Sequence, residues 1–253
     1  MKHLAMISPR RTPYIIAAVL ALVASYAHAA EEERAQILVI KGNTEDDSHA
    51  FITKALAPRR RSAMFEVTVA EVDYLAKEPL DGFATIFLND VAKLSDDEHQ
   101  ALDKAVKAGA GACFLLGPRA EVDHFNKVLY ADGEGPFPLP LGKPQTMPEG
   151  KSGIVAAKHP VLNVFEGDGK AMLDIVLVNR CHVPADGWQP ESVKGLNVIA
   201  RSAAGQPIAV SKSHGDGNVV VFLFVPDRRW ANWHFYPAWV VMMHELQTFM
   251  TEY

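Results

Sequence analysis

Three short apolar runs set the strongest limit on the fold: residues 36–40 (QILVI), 83–88 (FATIFL) and 112–116 (ACFLL). None of them alternates with polar residues, so each fits a strand buried on both faces better than one with a wet side. Each stops at turn chemistry: Gly42-Asn43, Asn89-Asp90 and Gly117-Pro118-Arg119. Between them lie helical patterns. Phe51, Ile52, Ala55 and Leu56 recur at helical spacing, with Pro58 and Arg59-Arg60-Arg61 closing the segment. Ser95 with Glu98 three residues on forms a capping box ahead of a helix to Lys107, which Gly109 stops. A third helix is predicted over 121–129, and 65–72 alternates as a strand. Strands and helices in alternation with short connections predict an α/β fold: a flavodoxin-like three-layer sandwich with a mostly parallel sheet.

Residues 131–150 break this rhythm with proline and glycine, and they read as an irregular surface excursion rather than a linker. Beyond it, strands are predicted at 172–178, 196–201, 207–211 and 219–225, the last two joined by a hairpin turn at 213–218. A closing helix is predicted over 236–250, with Pro237 in its first turn. At 253 residues and 49% hydrophobic, the chain can bury one substantial core, so 30–253 is expected to be one domain. A formal net charge of −5 lacks the basic excess that drives nucleic-acid binding.

At the N-terminus, Lys2, Arg10 and Arg11 precede an apolar run over 14–27 and the small-residue site Ala27-His28-Ala29. This pattern predicts a cleaved signal peptide at 1–29, the alternatives being an uncleaved membrane anchor or a twin-arginine signal. The expected location is periplasmic or secreted, with no membrane span after cleavage. Export makes cysteine pairing a question, but nothing in the sequence brings Cys113 and Cys181 within bridging distance, and no disulfide is expected.

The stretches 37–43 (ILVIKGN), 86–91 (IFLNDV), 106–109 (VKAG), 159–162 (HPVL) and the tryptophan-rich 230–239 resemble the class I glutamine amidotransferase-like superfamily. The nearest likeness is to the amidotransferase-like domain of BatA-type, von Willebrand factor A-containing bacterial envelope proteins. The resemblance implies a nucleophilic cysteine in a glycine-flanked turn after a central strand, and a His-Pro-Glu element after a late strand. Here that turn is Gly117-Pro118-Arg119, and Cys113 comes four residues early, roughly 13 Å back along an extended strand. It is therefore expected to be a buried small hydrophobe. Phe224-Val225-Pro226-Asp227 stands where the base is implied, and valine cannot accept a proton. Thiol-dependent amide hydrolysis is not expected, and no catalytic residue is assigned.

Open parallel sheets bind ligands at the carboxyl ends of their strands. Asn43, Asp46, Asp47, Asn89, Asp90, Gly117 and Arg119 are therefore the candidate crevice. Asp46, Asp47 and His49 could hold magnesium or calcium, but helix capping by Asp46 or Asp47 is the favoured reading, and no metal or cofactor is expected. His159, His234 and His244 have no zinc-type spacing, and Ser211, Ser213, His214 and Asp216 are too contiguous for a hydrolytic triad. Arg228, Arg229, Trp230 and Trp233 form the candidate interface; the first three are expected to be partly exposed, whereas Trp233, Phe235 and Trp239 pack the closing helix. The expected function is a catalytically inactive binding or scaffolding module that meets a protein partner in the cell envelope. The alternatives are an exported hydrolase or carbohydrate-processing enzyme using the same crevice, and a periplasmic ligand-binding protein.

Overall fold

The computed structural model describes residues 34–58 and 64–252; the segment expected to be a signal peptide lies outside the described residues. The apolar runs form the middle of an eight-stranded sheet: β1 (Ala35–Lys41), β3 (Phe83–Asn89) and β4 (Gly111–Leu115). With β2 (Phe65–Ala70), β6 (Ile154–Ala156), β8 (Asn197–Ser202), β9 (Pro207–His214) and β10 (Gly217–Phe222), the order is β2-β1-β3-β4-β10-β9-β8-β6. Pairing is parallel from β2 through to β10 and antiparallel from β10 to β6. The fold is α/β and flavodoxin-like, and its parallel half is where the unbroken apolar runs sit.

Parallel neighbours need crossover connections, and these carry the helices onto the faces of the sheet. The chain steps from β1 to β2 through α1 (His49–Leu56), then reverses direction through α2 (Tyr74–Lys77) and α3 (Asp96–Lys107) to reach β3 and β4. Accordingly α2 packs on α3, while α1 packs on the closing helix α6 (Pro237–Glu252). The α6 contacts are anchored by polar groups. Trp239 Nε1 donates to Phe51 O at 3.0 Å, His244 Nε2 meets Ala55 O at 3.0 Å, and buried Gln247 Nε2 donates to Thr85 Oγ1 at 2.9 Å. The Ser95–Glu98 capping box is present at the start of α3, which turns Leu102 and Val106 to the core.

Three sequence expectations are corrected. Residues 172–178 are not a strand: a 3-10 turn spans Gly167–Met172, and only isolated bridges at Leu177 and Val178 follow. Leu173, Val176 and Val178 are the buried residues there: the step of three from Leu173 to Val176 follows the turn, and the alternation expected of a strand begins only at Val176, beside the bridges. The 131–150 excursion is not irregular throughout, since Leu141–Thr146 forms β5, which pairs with β7 (Arg180–Pro184) in a separate two-stranded sheet. Pro144 is tolerated because this ribbon has open edges and a register shift beside it. The excursion is also packed: Phe137 is fully buried, edge-on to Phe114 and Phe125 at 5.3 and 5.1 Å. After α4 (Val122–His124) the predicted third helix continues as a wider π turn, Phe125–Tyr130. A short helix, α5 (Pro160–Asn163), lies against α6.

Among the described residues no helix is long and apolar enough to cross a membrane.

Candidate functional site

The parallel strands deliver their turns to one edge, and the tightest point is Asp90. It follows β3 directly, has a left-handed φ of 52° and is 1% exposed. Aspartate adopts this region at lower cost than most side chains. Two glycines make the room: a Cβ on Gly42 would stand 2.2 Å from Asp90 O, and one on Gly117 would stand 2.3 Å from Asp90 Oδ1. Arg119 N donates to Asp90 Oδ1 at 3.1 Å. Burial pushes the Asp90 carboxyl up to about 6; the Arg119 amide opposes this, while Asp46 and Asp227 add to it.

A second carboxylate is held in place beside it. Asp46 Oδ1 accepts from Ser48 N at 3.0 Å and Ser48 Oγ at 2.7 Å, and Asp46 Oδ2 accepts from Asn43 Nδ2 at 2.8 Å. Asn89 Nδ2 donates to Ser48 Oγ at 2.7 Å, linking β3 to the start of α1. Arg119 Nη1 reaches Asn43 Oδ1 at 3.4 Å. Hydrogen bonds thus link Asn43 and Asp46 through Ser48 to Asn89, and through Arg119 to Asp90, with Gly117 packed against the Asp90 carboxyl. Asp47 stands apart from these bonds, exposed and without a side-chain hydrogen bond among the described residues.

The capping expectation is corrected in detail. The residue before α1 is Ser48, whose side chain makes no cap bond; Asp46 secures Ser48 instead, and Asp47 contributes only its carbonyl oxygen, to Ala50 N at 2.8 Å. Among the described residues no group of three or more His, Cys, Asp or Glu side chains could hold a metal ion.

The facing wall comes from the segment after β10. Asp227 accepts a bidentate pair from Arg229, Nε to Oδ1 and Nη2 to Oδ2, both at 2.9 Å, and Arg229 N adds a third bond at 2.8 Å. This grip lowers the Asp227 pKa. Between the two walls lies a cleft of about 410 Å³, lined by Asp46, Asp47 and Ser48 on one side and by Asp227, Arg229 and His234 on the other.

His234 belongs to this wall although the sequence gives it no motif. It is 8% exposed, its Nδ1 has no partner, and burial pushes its pKa down to about 4 against the pull of Asp227. Its ring stands 4.3 Å from Phe51 and 4.1 Å from Phe235.

The candidate interface divides. Arg228 and Arg229 are exposed as expected, but Trp230 is 2% and Trp233 0% exposed, so neither ring offers a docking surface. The segment after β10 runs back beside β7, where Asn179 N and Arg180 N both donate to Trp230 O. That pairing folds the Trp230 ring under the Arg180 guanidinium, 5.3 Å away, and onto His182 at 5.6 Å. Trp233 stacks on Phe224 at 6.4 Å. Trp239 is buried with them, whereas Phe235 is 57% exposed, contrary to expectation.

His182 is a further residue the sequence does not reveal. Its two ring nitrogens face Gly117 O at 2.9 Å and Gly142 O at 3.1 Å. A neutral imidazole can donate to only one of them. Burial lowers its pKa and the two carbonyls raise it, with burial the larger influence.

The thiols lie away from this edge. Cys113 sits mid-strand in β4 with no exposure, and burial raises its pKa well above the usual thiol value. Cys181, in β7, is also buried and free, its thiol pushed up to about 12. Phe224 and Val225 are core residues. The contiguous serine, histidine and aspartate residues do not converge: His214 Nε2 meets Asp103 Oδ1 at 2.6 Å, and Ser213 Oγ donates to Asn218 Oδ1. Ser211 instead pairs with buried His159 at 2.9 Å. Because His159 Nδ1 accepts Val161 N, its proton lies on Nε2 and is donated to Ser211 Oγ, so this histidine does not act as a base toward the serine.

No protein-family model and no curated protein matches the chain. Solved structures do match. A cytoplasmic protein from Salmonella typhimurium LT2 is similar with a TM-score of 0.61 and 13% identity over 85% of this chain and 99% of that one. A ThuA-like protein from Bacteroides uniformis gives a TM-score of 0.53 and 11% identity over 84% and 89%. A β-galactosidase from Rahnella sp. R3 gives 0.55 and 12%, but this chain spans only 30% of its length. At such identities the likeness is one of fold, and the fold is glutamine amidotransferase-like.

Proposed function

We propose that this chain is a thiol-independent binding module whose ligand sits in the carboxyl-edge cleft, and that it works in the cell envelope after export. The single observation behind this reading is the convergence of Asp46, Asp90 and Asp227 around a cleft with an unpartnered, buried His234 in its wall. Crowded carboxylates and an orphaned polar nitrogen both cost stability, and such costs concentrate at functional sites. Asp46 and Asp227 are already oriented by three hydrogen bonds each, so a ligand would meet acceptors that need no reordering. Asp90, at 1% exposure, is placed to tune this pair rather than to touch a ligand, which weighs against a hydrolase built on it. Envelope location and the nearer likeness to BatA-type domains rest on the N-terminal pattern and the residue motifs given above.

A scaffold that docks a protein partner is the second reading. It loses Trp230 and Trp233 but keeps an exposed rim of Arg228, Arg229 and Phe235. Ile175 and Leu177, also exposed, are tied to this segment by Asn232, which donates to Ile175 O at 3.2 Å and accepts from Leu177 N at 2.7 Å.

Thermal-shift screening of the protein against small polar metabolites separates the two. A stabilising ligand whose effect is lost in Asp227→Ala, with that variant still folded, is the expected result. Stabilisation unchanged by Asp227→Ala would move the site elsewhere. No ligand, together with an envelope protein captured by wild type and lost in Phe235→Ala, would transfer the case to the scaffold.

A further inference from the structure

The cleft's lining also points to what it would hold, given the reading of it as a ligand site. Its charged groups are three carboxylates, Asp46, Asp47 and Asp227, against the guanidinium groups of Arg228 and Arg229. Arg229 is already engaged with Asp227 through its Nε and Nη2. Asp90 stands behind this wall and adds negative potential, which Asp46, Asp90 and Asp227 together exert on Arg229. An anionic ligand would meet this field unfavourably.

The remaining surface is aromatic. Phe51 and Phe235 meet edge-on at 5.9 Å, and both stand close to the His234 ring. Ring faces beside carboxylates attract organic cations, which keep an apolar body and need less dehydration than a metal ion. His234 supplies the third feature. Its Nδ1 is buried and unpartnered, and its ring is neutral near neutral pH because burial disfavours the imidazolium. A neutral imidazole has one bare nitrogen, and in the tautomer that leaves Nδ1 bare this atom accepts an N–H donor.

We propose that the cleft selects small ligands carrying a protonated amine, the ammonium seated among Asp46, Asp47 and His234 and the adjoining alkyl chain resting on Phe51 and Phe235. Arg228, exposed and unpaired among the described residues, lies beside the same cleft and would meet a carboxylate or hydroxyl on the far end of such a ligand.

The test is an NMR titration of the isotope-labelled protein, near neutral pH and at low salt, with n-butylammonium, n-butanol and butyrate, three probes of one length and three charges. The expected result is that butylammonium shifts cleft resonances and binds more tightly than butanol by on the order of tenfold or more, as a charge-assisted hydrogen bond provides. Butyrate is expected to bind least. Asp47→Asn is expected to remove about tenfold of this preference, and His234→Phe, which keeps the ring, to weaken butylammonium specifically. Asp47 is exposed, so its variant stays informative even if His234→Phe does not fold.

Butanol equal to butylammonium, or a preference untouched by Asp47→Asn, overturns the amine proposal. Binding of neutral ligands that remains sensitive to Asp227→Ala would sink it while leaving the cleft as the site. Binding of a lysine-containing peptide with no response to the free amine would also sink it. Silence from every ligand, in this titration and in the metabolite screen, removes both readings together.

Discussion

Asp90 concentrates the energetics of the site in one side chain. Its carboxyl titrates at about 6 in the fold against 3.8 unperturbed, so the folded state holds a proton that the unfolded state releases. The stability lost by ionising it grows as pH rises through that interval and remains lost above it, about 3 kcal/mol. An asparagine in its place would keep the left-handed backbone and the Arg119 bond without the charge, so Asp90→Asn is expected to stabilise the protein near neutral pH by about 1–3 kcal/mol. At about pH 4, where Asp90 is itself largely protonated, the two proteins should have nearly equal stability. Urea denaturation at both pH values measures this, and a variant less stable than wild type near neutrality would refute the account. Its place at the edge is legible from Asn89-Asp90 ending an apolar run. Its burial is not, because that depends on Gly42 and Gly117 closing in from other strands. For the same reason the sequence is silent on His234 and His182: their roles come from neighbours 100 or more residues away in places, such as the Phe51 ring beside His234.

Among the elements, those whose signals are local are legible in the sequence. The unbroken apolar strands, the α3 capping box and the β9–β10 hairpin each carry their instructions within a dozen residues. That hairpin turns at Gly215, whose φ of +65° suits the first central position of a tight turn. The β5–β7 ribbon and the turn over 172–178 are not legible because their fate is decided by partners: β5 contains a proline and becomes a strand only against β7. Tryptophans 230 and 233 fail as interface candidates on the same ground, since pairing of their segment with residues 179–180 turns both rings inward. The capping box gives a direct measurement. Ser95 Oγ accepts from Glu98 N at 3.3 Å and Glu98 Oε2 accepts from Ser95 N at 2.7 Å. Ser95→Ala is expected to cost about 1 kcal/mol, read as a lower denaturant midpoint with an unchanged slope. A loss below a few tenths would mean that α3 is held by packing alone.

For the molecule as a whole, pH is the variable that reads out the buried histidines. His159 and His234 are both pushed down to about 4 from 6.5 by burial, so each stays neutral in the fold while the unfolded chain takes up a proton. Their contribution is complete above about 6.5 and is lost as pH falls toward 4, whereas Asp90 acts in the opposite sense over part of the same range. Two imidazoles outweigh one carboxyl, so the melting temperature is expected to fall on acidification from about pH 7 to about 4.5. A melting temperature that rises over that interval would overturn this assignment. The mixed sheet that shelters His159 and Ser211 shelters the thiols as well. Cys113 lies at its centre and Cys181 within the neighbouring ribbon, both free and both closed to solvent. A reagent that attacks thiolates can reach them only when the surrounding strands part, so the pace of their modification follows the pace at which those strands separate. Two residues with no part in the cleft thus make the chain a clock for its own opening.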